Sequence, residues 1–155
     1  MAAEQRTGTI LVVDDDDGVR TVLGKWVAAL GHQVQTAPDA DLALEVLGKV
    51  RIDVAVCDMR MPGHDGAWLV DQMRHRHPRV AIVIATGLLE LEPSVTLGPG
   101  VVGYLVKPFK RDQLAELLER ALETAAELQA LPDRQDIDFD VLDGDIVEGT
   151  IISRE

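Results

Sequence analysis

The chain has 155 residues, of which 46% are hydrophobic and only 3% aromatic, and its formal net charge is −12. This suits one domain with an aliphatic core and a short extension, and the negative charge argues against direct binding to nucleic acid or anionic membranes. A single cysteine cannot form an intramolecular disulfide, and neither a signal peptide nor an apolar run of ~20 residues is recognisable, so a cytoplasmic protein is predicted.

Short apolar runs alternate with helical patterns along the first fifty residues. Thr9–Val13 is a predicted buried strand, and Gly31 ends the helical pattern that follows it. Gln33–Ala37 is a predicted second strand, and a second helix opens at Pro38. Spacings of three and four define the predicted inner faces of these two helices. They are Val19, Val22, Leu23, Trp26, Val27 and Leu30, and then Leu42, Ala43, Val46 and Leu47.

The same alternation continues to residue 128. Three further strands are predicted at 53–57, 80–85 and 102–106. A turn at 61–63 precedes a third helix that contains Trp68, Leu69 and Met73. The last predicted helix spans 111–128, and its inward-facing residues are Leu114, Leu117, Leu118, Ala121, Leu122 and Ala125. A short or irregular fourth helix is expected at 88–100, which is rich in proline and glycine. This order predicts an α/β fold, a doubly wound parallel sheet covered on both faces.

The predicted organisation is an N-terminal tail at 1–8, one domain at 9–128 and an acidic C-terminal extension at 129–155. Residues 132–155 contain eight acidic and two basic residues, which is half of the net charge. Apolar residues alternate with aspartates there, and Asp143-Gly144 is a candidate hairpin turn. High charge favours disorder instead. A hairpin, a linker and a flexible tail all remain open.

Residues with reactive or charged side chains follow four of the predicted strands. They are Asp14 and Asp15, Asp58, Thr86 and Lys107. Ligands of an open parallel sheet bind beyond the carboxyl ends of its strands, so these side chains should converge. Clustered carboxylates tend to bind a cation, and Mg²⁺ prefers one or two carboxylates together with phosphate oxygens. The sequence therefore predicts a magnesium site.

The same cluster suits phosphoryl transfer to a carboxylate. Asp58 would act as the nucleophile on phosphorus and form an aspartyl phosphate. Phosphoryl transfer mainly needs positioning and neutralisation of the charge on the phosphoryl oxygens. The metal, the Lys107 amine and the Thr86 hydroxyl would each take one of those oxygens.

Four fragments in order carry a resemblance to a known family. They are ILVVDDDDGVR at 10–20, DVAVCDMRMPGHDG at 53–66, IVIATG at 82–87 and GYLVKPF at 103–109. Together they resemble the receiver domain of two-component response regulators, the CheY-like family, over roughly residues 9–128. The resemblance implies a flavodoxin-like sheet of five parallel strands in the order 2-1-3-4-5.

The resemblance also implies roles at the metal and the phosphoacceptor. Asp58 matches the phosphoacceptor, and Asp14 and Asp15 match the acidic pair that holds Mg²⁺. Arg60 matches the residue whose backbone carbonyl completes the metal site.

Four further positions match the switch residues, the phosphoryl-binding amine and the cis peptide bond of the family. Thr86 matches the hydroxyl that moves onto the phosphoryl group, and Tyr104 matches the aromatic residue that turns inward afterwards. Lys107 matches the amine of the site, and its bond to Pro108 is expected to be cis.

Three functions compete. The first is a signalling switch that catalyses its own phosphoryl transfer and autodephosphorylation, rather than a turnover enzyme. Its expected partners are a sensor histidine kinase or phosphotransfer protein and a downstream effector or fused domain, with a homodimer left open. The second is a phosphatase of the haloacid-dehalogenase type, because Asp14-x-Asp16 resembles its first motif. The third is an unphosphorylated interaction module that uses the acidic extension.

Overall fold

Strands and helices alternate over residues 6–87, and a fifth strand and a fourth helix lie within residues 100–131. The structure is a computed structural model that describes residues 6–87 and 100–131. The strands are β1 (Thr9–Val13), β2 (Gln33–Ala37), β3 (Val54–Cys57), β4 (Ala81–Thr86) and β5 (Val101–Val106). The helices, numbered as they occur in the described residues, are α1 (Asp17–Ala29), α2 (Ala40–Lys49), α3 (Gly66–Arg76) and α4 (Arg111–Gln129).

The five strands form one sheet in the order β2-β1-β3-β4-β5, and every neighbouring pair is parallel. The predicted fold class and strand order are therefore confirmed. Val13 lies beside Ala37 on one side and Cys57 on the other, so β1, β2 and β3 end level with one another. Residues that follow these strands consequently meet at one edge of the sheet.

Two apolar layers cover the two faces of the sheet. Alternate residues of each strand point to opposite faces, as the pleat requires. Leu11 and Val13 pack in the layer formed with α2 and α3, whereas Ile10 and Val12 pack in the layer formed with α1 and α4. The inner strands β1, β3 and β4 are buried on both faces, which is why they read as continuous apolar runs.

Aspartates begin three of the helices. Asp16, Asp39 and Asp65 are the N-caps of α1, α2 and α3, and each carboxylate accepts a hydrogen bond from the backbone N–H three residues further on. Such a cap stabilises a helix by about 1 kcal/mol relative to alanine. The caps fix where each helix begins after its loop.

Two residues predicted to face inward are exposed. Val22 and Leu42 lie on the surface, so this part of the prediction was wrong. Each precedes a buried residue of its helix by one position, Leu23 and Ala43, and one position turns a side chain by about 100°. The apolar side chains that pack against the sheet therefore cover a narrower arc of each helix than the sequence analysis predicted.

Some predicted features lie outside the described residues. They are most of the irregular fourth helix at 88–100 and the hairpin or tail at 132–155. Among the described helices, none combines the length and the apolar character needed to cross a bilayer.

Candidate functional site

The carboxyl edge of the sheet carries a pocket with a volume of about 690 Å³. Its lining includes Asp14, Asp15, Asp58, Arg60 and Lys107. The backbone holds these residues in line with the strands: the N–H of Asp58 donates to the carbonyl of Val13 at 2.9 Å, and that of Lys107 to the carbonyl of Thr86 at 2.8 Å. The structure therefore brings five of the predicted site residues to one pocket.

Three carboxylates form a compact cluster in this pocket. Asp14 and Asp58 are buried and Asp15 is exposed, and one oxygen of each lies within 4.8 Å of the others. Such spacing lets one small cation contact all three carboxylates. The donor set is all oxygen, which fits a hard divalent ion such as Mg²⁺.

Lys107 bridges the two buried carboxylates. Its Nζ lies 2.8 Å from Oδ2 of Asp14 and 3.4 Å from Oδ1 of Asp58. The peptide bond between Lys107 and Pro108 is cis. The ammonium group thus supplies the positive charge that the carboxylates need in the absence of another cation.

Burial dominates the electrostatics of Asp58. The pKa of this carboxyl rises from an ordinary value of 3.8 to about 6, mainly because of burial and to a smaller extent because of the charge of Asp14. Lys107 and a hydrogen bond from the backbone N–H of Arg60 oppose that rise. Asp58 is ionised at neutral pH but at a cost, so the site favours the arrival of positive charge.

Lys107 stays protonated at neutral pH. Burial lowers its pKa, but its hydrogen bond to Asp14 and the negative charges of Asp58 and Asp14 outweigh burial, so the pKa lies above its ordinary value. Lys107 therefore keeps its positive charge at neutral pH and does not transfer a proton as a general acid.

Thr86 and Tyr104 differ in burial. Thr86 is fully buried at the end of β4. The side chain of Tyr104 is 50% exposed, and within the described part of the chain it does not line the carboxylate pocket. Its neighbour in register on β4 is Ile84, two positions before Thr86.

The sequence prediction missed Gly66, which closes the loop after Asp58. Its N–H donates to the carbonyl of Met59 at 3.0 Å, and a Cβ at this position would lie 2.3 Å from the carbonyl oxygen of Asp58. No side chain fits at that distance. The sequence feature that pointed to this position is a glycine directly after Asp65, the N-cap of α3.

Arg20 is a second residue that the sequence prediction missed. Its Nη1 donates to the carbonyl of Asp14 at 2.7 Å, and its other guanidinium nitrogen pairs with Asp17. The arginine thereby ties the loop after β1 to α1. Its spacing of three from Asp17 on a helix could have predicted the pair.

His64 contacts two residues that lie on different helices. Its ring stacks on Trp68 with ring centres 3.6 Å apart, and its Nδ1 lies 3.1 Å from Oδ1 of Asp41 on α2. These contacts fasten the loop that carries Arg60 to both α2 and α3.

The comparisons with known proteins point to one family. The family described as response regulator receiver domain matches residues 10–119. The chain is 37% identical over 123 residues to the DNA-binding transcriptional regulator NtrC of Escherichia coli K12, and the match covers 79% of this chain and 26% of NtrC. The chain thus spans about a quarter of that relative. These matches favour the receiver hypothesis over the phosphatase hypothesis.

Solved structures are similar over nearly the whole described region. A response regulator receiver domain protein from Clostridium thermocellum has a TM-score of 0.72 at 26% identity, over 78% of this chain and 98% of that one. The response regulator protein TrrA from Thermotoga maritima, solved in complex with Mg²⁺-BeF, has a TM-score of 0.69 at 26% identity, over 74% of this chain and 99% of TrrA.

Proposed function

The chain belongs to the response regulator receiver domain family, and on this premise we propose that it is a two-component switch whose phosphoacceptor is Asp58. The observation that carries the proposal is the position of its carboxylate. Asp58 is buried at the end of β3, 3.4 Å from the ammonium group of Lys107 and within one cluster with Asp14 and Asp15. A carboxylate held beside fixed positive charge suits attack on a phosphoryl group.

Mg²⁺ is the proposed cofactor. Asp14, Asp15 and Asp58 would hold it through carboxylate oxygens, and Arg60 through its backbone carbonyl. The oxygen-only donor set and the raised pKa of Asp58 support this assignment. A bound Mg²⁺ would neutralise the carboxylates and draw charge from the phosphoryl oxygens.

The side chains of the pocket divide the remaining work. A carboxylate oxygen of Asp58 forms the new bond to phosphorus while the bond from phosphorus to the donor breaks and the leaving group departs with its electron pair. Lys107 donates to one phosphoryl oxygen through one of the three N–H groups of its ammonium. The Thr86 hydroxyl donates to another. The protein itself thereby catalyses both this transfer and the later hydrolysis.

The proposed switch uses β4 and β5, the two strands on one side of β3 in the sheet. Thr86 moves toward the phosphoryl group, and the half-exposed Tyr104 turns inward on the same side of the molecule. The hydrogen bond between Lys107 and Thr86 links the ends of β4 and β5, so a shift at one strand is felt by the other. A local charge change would then alter the surface that β5 presents.

The proposed partners follow from the family. A sensor histidine kinase or a phosphotransfer protein supplies the phosphoryl group, and a downstream effector or fused domain reads the changed surface. NtrC is described as DNA-binding, but this chain matches only a quarter of it, and its net charge of −12 favours a protein partner over nucleic acid.

The test is phosphorylation by a small-molecule donor. The purified chain is incubated with acetyl phosphate in Mg²⁺ or in EDTA, and intact mass is measured for the wild type, Asp58→Asn and the control Glu116→Gln. One added phosphoryl group is expected in the wild type and the control with Mg²⁺ only. An equal yield in Asp58→Asn would overturn the assignment.

A further inference from the structure

A second cavity, of about 800 Å³, lies at the opposite end of the sheet from Asp58. It is lined by residues around the amino ends of β3 and β4 and by the last turns of α2, α3 and α4. Four arginines contribute to it, and we call them the basic face: Arg51, Arg74, Arg76 and Arg79.

The basic face is unusual in a chain whose net charge is −12. Its four arginines belong to a total of fifteen lysines and arginines, yet they line one cavity. The side chain of Arg51 is 77% exposed although its Nε lies 3.8 Å from Asp53, and Arg76 is exposed as well. This end of the molecule therefore offers positive charge to an acidic ligand.

The acidic residues 132–155 directly follow in sequence a residue that lines this cavity. Leu131 lines the cavity with its side chain 57% exposed, and its carbonyl accepts a hydrogen bond from Nη2 of Arg79 at 2.7 Å. Residues 132–155 follow directly and contain eight acidic and two basic residues. An extended chain covers ~3.3 Å per residue, so Asp136 lies at most ~17 Å along the chain from Leu131.

We propose that the acidic segment at 133–145 folds back and binds the basic face of its own chain. Carboxylate–arginine hydrogen bonds are strong, and tethering raises the effective concentration of the segment to roughly the millimolar range. Apolar residues alternate with its aspartates, as in Ile137 and Phe139, and the cavity offers matching apolar surface. That surface consists of Leu47, Val50, Leu128 and Leu131. The inference does not depend on phosphorylation of Asp58.

The experiment compares the backbone amide chemical shifts of the 155-residue chain with those of a variant in which the acidic segment, called the tail below, has lost negative charge. The tail variant is Asp136→Asn, Asp138→Asn and Asp140→Asn combined, which leaves the folded domain untouched. We expect its shift changes outside the tail to concentrate at 50–52, 74–80 and 131. They should vanish when salt is raised from about 0.01 M to about 1 M, because screening shortens from about 30 Å to about 3 Å.

A second set of variants tests the arginines. In an Arg51→Gln, Arg76→Gln background the same tail change should no longer perturb the cavity residues. The matched control, Arg111→Gln with Arg120→Gln, removes two exposed arginines of α4 and should leave the perturbation intact.

Three results would overturn the proposal. Shift changes spread evenly over the domain would mean that the tail has no preferred site. If the shift changes appear only at high protein concentration and light scattering detects dimers, the basic face binds a second copy of the chain instead. No tail effect, together with perturbation by added polyglutamate, would assign it to an acidic partner in trans.

Discussion

Replacing Asp58 by asparagine should stabilise the metal-free protein at neutral pH. The folded protein holds the proton of Asp58 more tightly than the unfolded chain does, because the pKa rises from 3.8 to about 6 on folding. The free energy of unfolding therefore falls as pH rises from 3.8 to about 6. Above that interval the full cost of burying the charged carboxylate is present. The two pKa values correspond to roughly 3 kcal/mol, which we reduce to about 1–2 kcal/mol because the pocket opens to solvent and water screens the charge.

The assay is urea unfolding of the wild type, Asp58→Asn and Glu116→Gln. In EDTA at about pH 7.5, Asp58→Asn should exceed the wild type by about 1–2 kcal/mol, and the difference should shrink toward pH 4 as Asp58 becomes protonated. Glu116 is exposed, so its replacement should change little at either pH. Added Mg²⁺ should stabilise the wild type and the control but not Asp58→Asn.

A lower stability of Asp58→Asn in EDTA at about pH 7.5 would refute this reasoning. It would mean that the attraction between Lys107 and Asp58 outweighs the cost of burying the carboxylate. The negative charge would then stabilise the fold even without a metal.

Three further predictions concern residues around the site. Lys107→Met should lower metal-free stability by about 1–3 kcal/mol in urea unfolding, because buried carboxylates lose their cation; an unchanged midpoint would contradict this. Gly66→Ala should strongly destabilise the protein, because its Cβ would lie 2.3 Å from the backbone oxygen of Asp58. The matched variant Gly48→Ala, whose Cβ would meet nothing within 4 Å, should raise the free energy of unfolding by about 0.5–1 kcal/mol. Equal urea midpoints for the two variants would contradict the packing argument. Cys57 should resist thiol reagents until urea unfolds the protein, because burial and then the Asp58 charge raise its pKa to about 12; rapid native labelling would contradict its burial.

Periodicity predicted the order of elements and the convergence of the strand ends. Apolar runs of strand length that are separated by helical patterns are typical of buried parallel strands. The positions of Asp14, Asp58 and Lys107 then follow from the topology, because parallel strands end at one edge. The bounds of β3, β4 and β5 differ from the predicted ones by one residue, because the apolar run and the hydrogen-bonded strand do not coincide.

Contacts that depend on loop geometry could not be predicted in this way. The closeness of Gly66 to the backbone of Asp58 depends on the path of the loop, which the sequence pattern does not specify. The stacking of His64 on Trp68 depends on the same path. Val22 and Leu42 fell on the surface because hydrophobicity alone does not fix the width of a helix stripe.

Peptide mapping shows directly whether Asp58 carries the phosphoryl group. The acetyl-phosphate-treated chain is reduced with borohydride, which converts an aspartyl phosphate to homoserine, and the peptides are sequenced by mass spectrometry. Homoserine should appear at position 58 only, and only when Mg²⁺ was present. Homoserine at position 14 or 15, with Asp58 unmodified, would contradict the account and move the nucleophile to the end of β1.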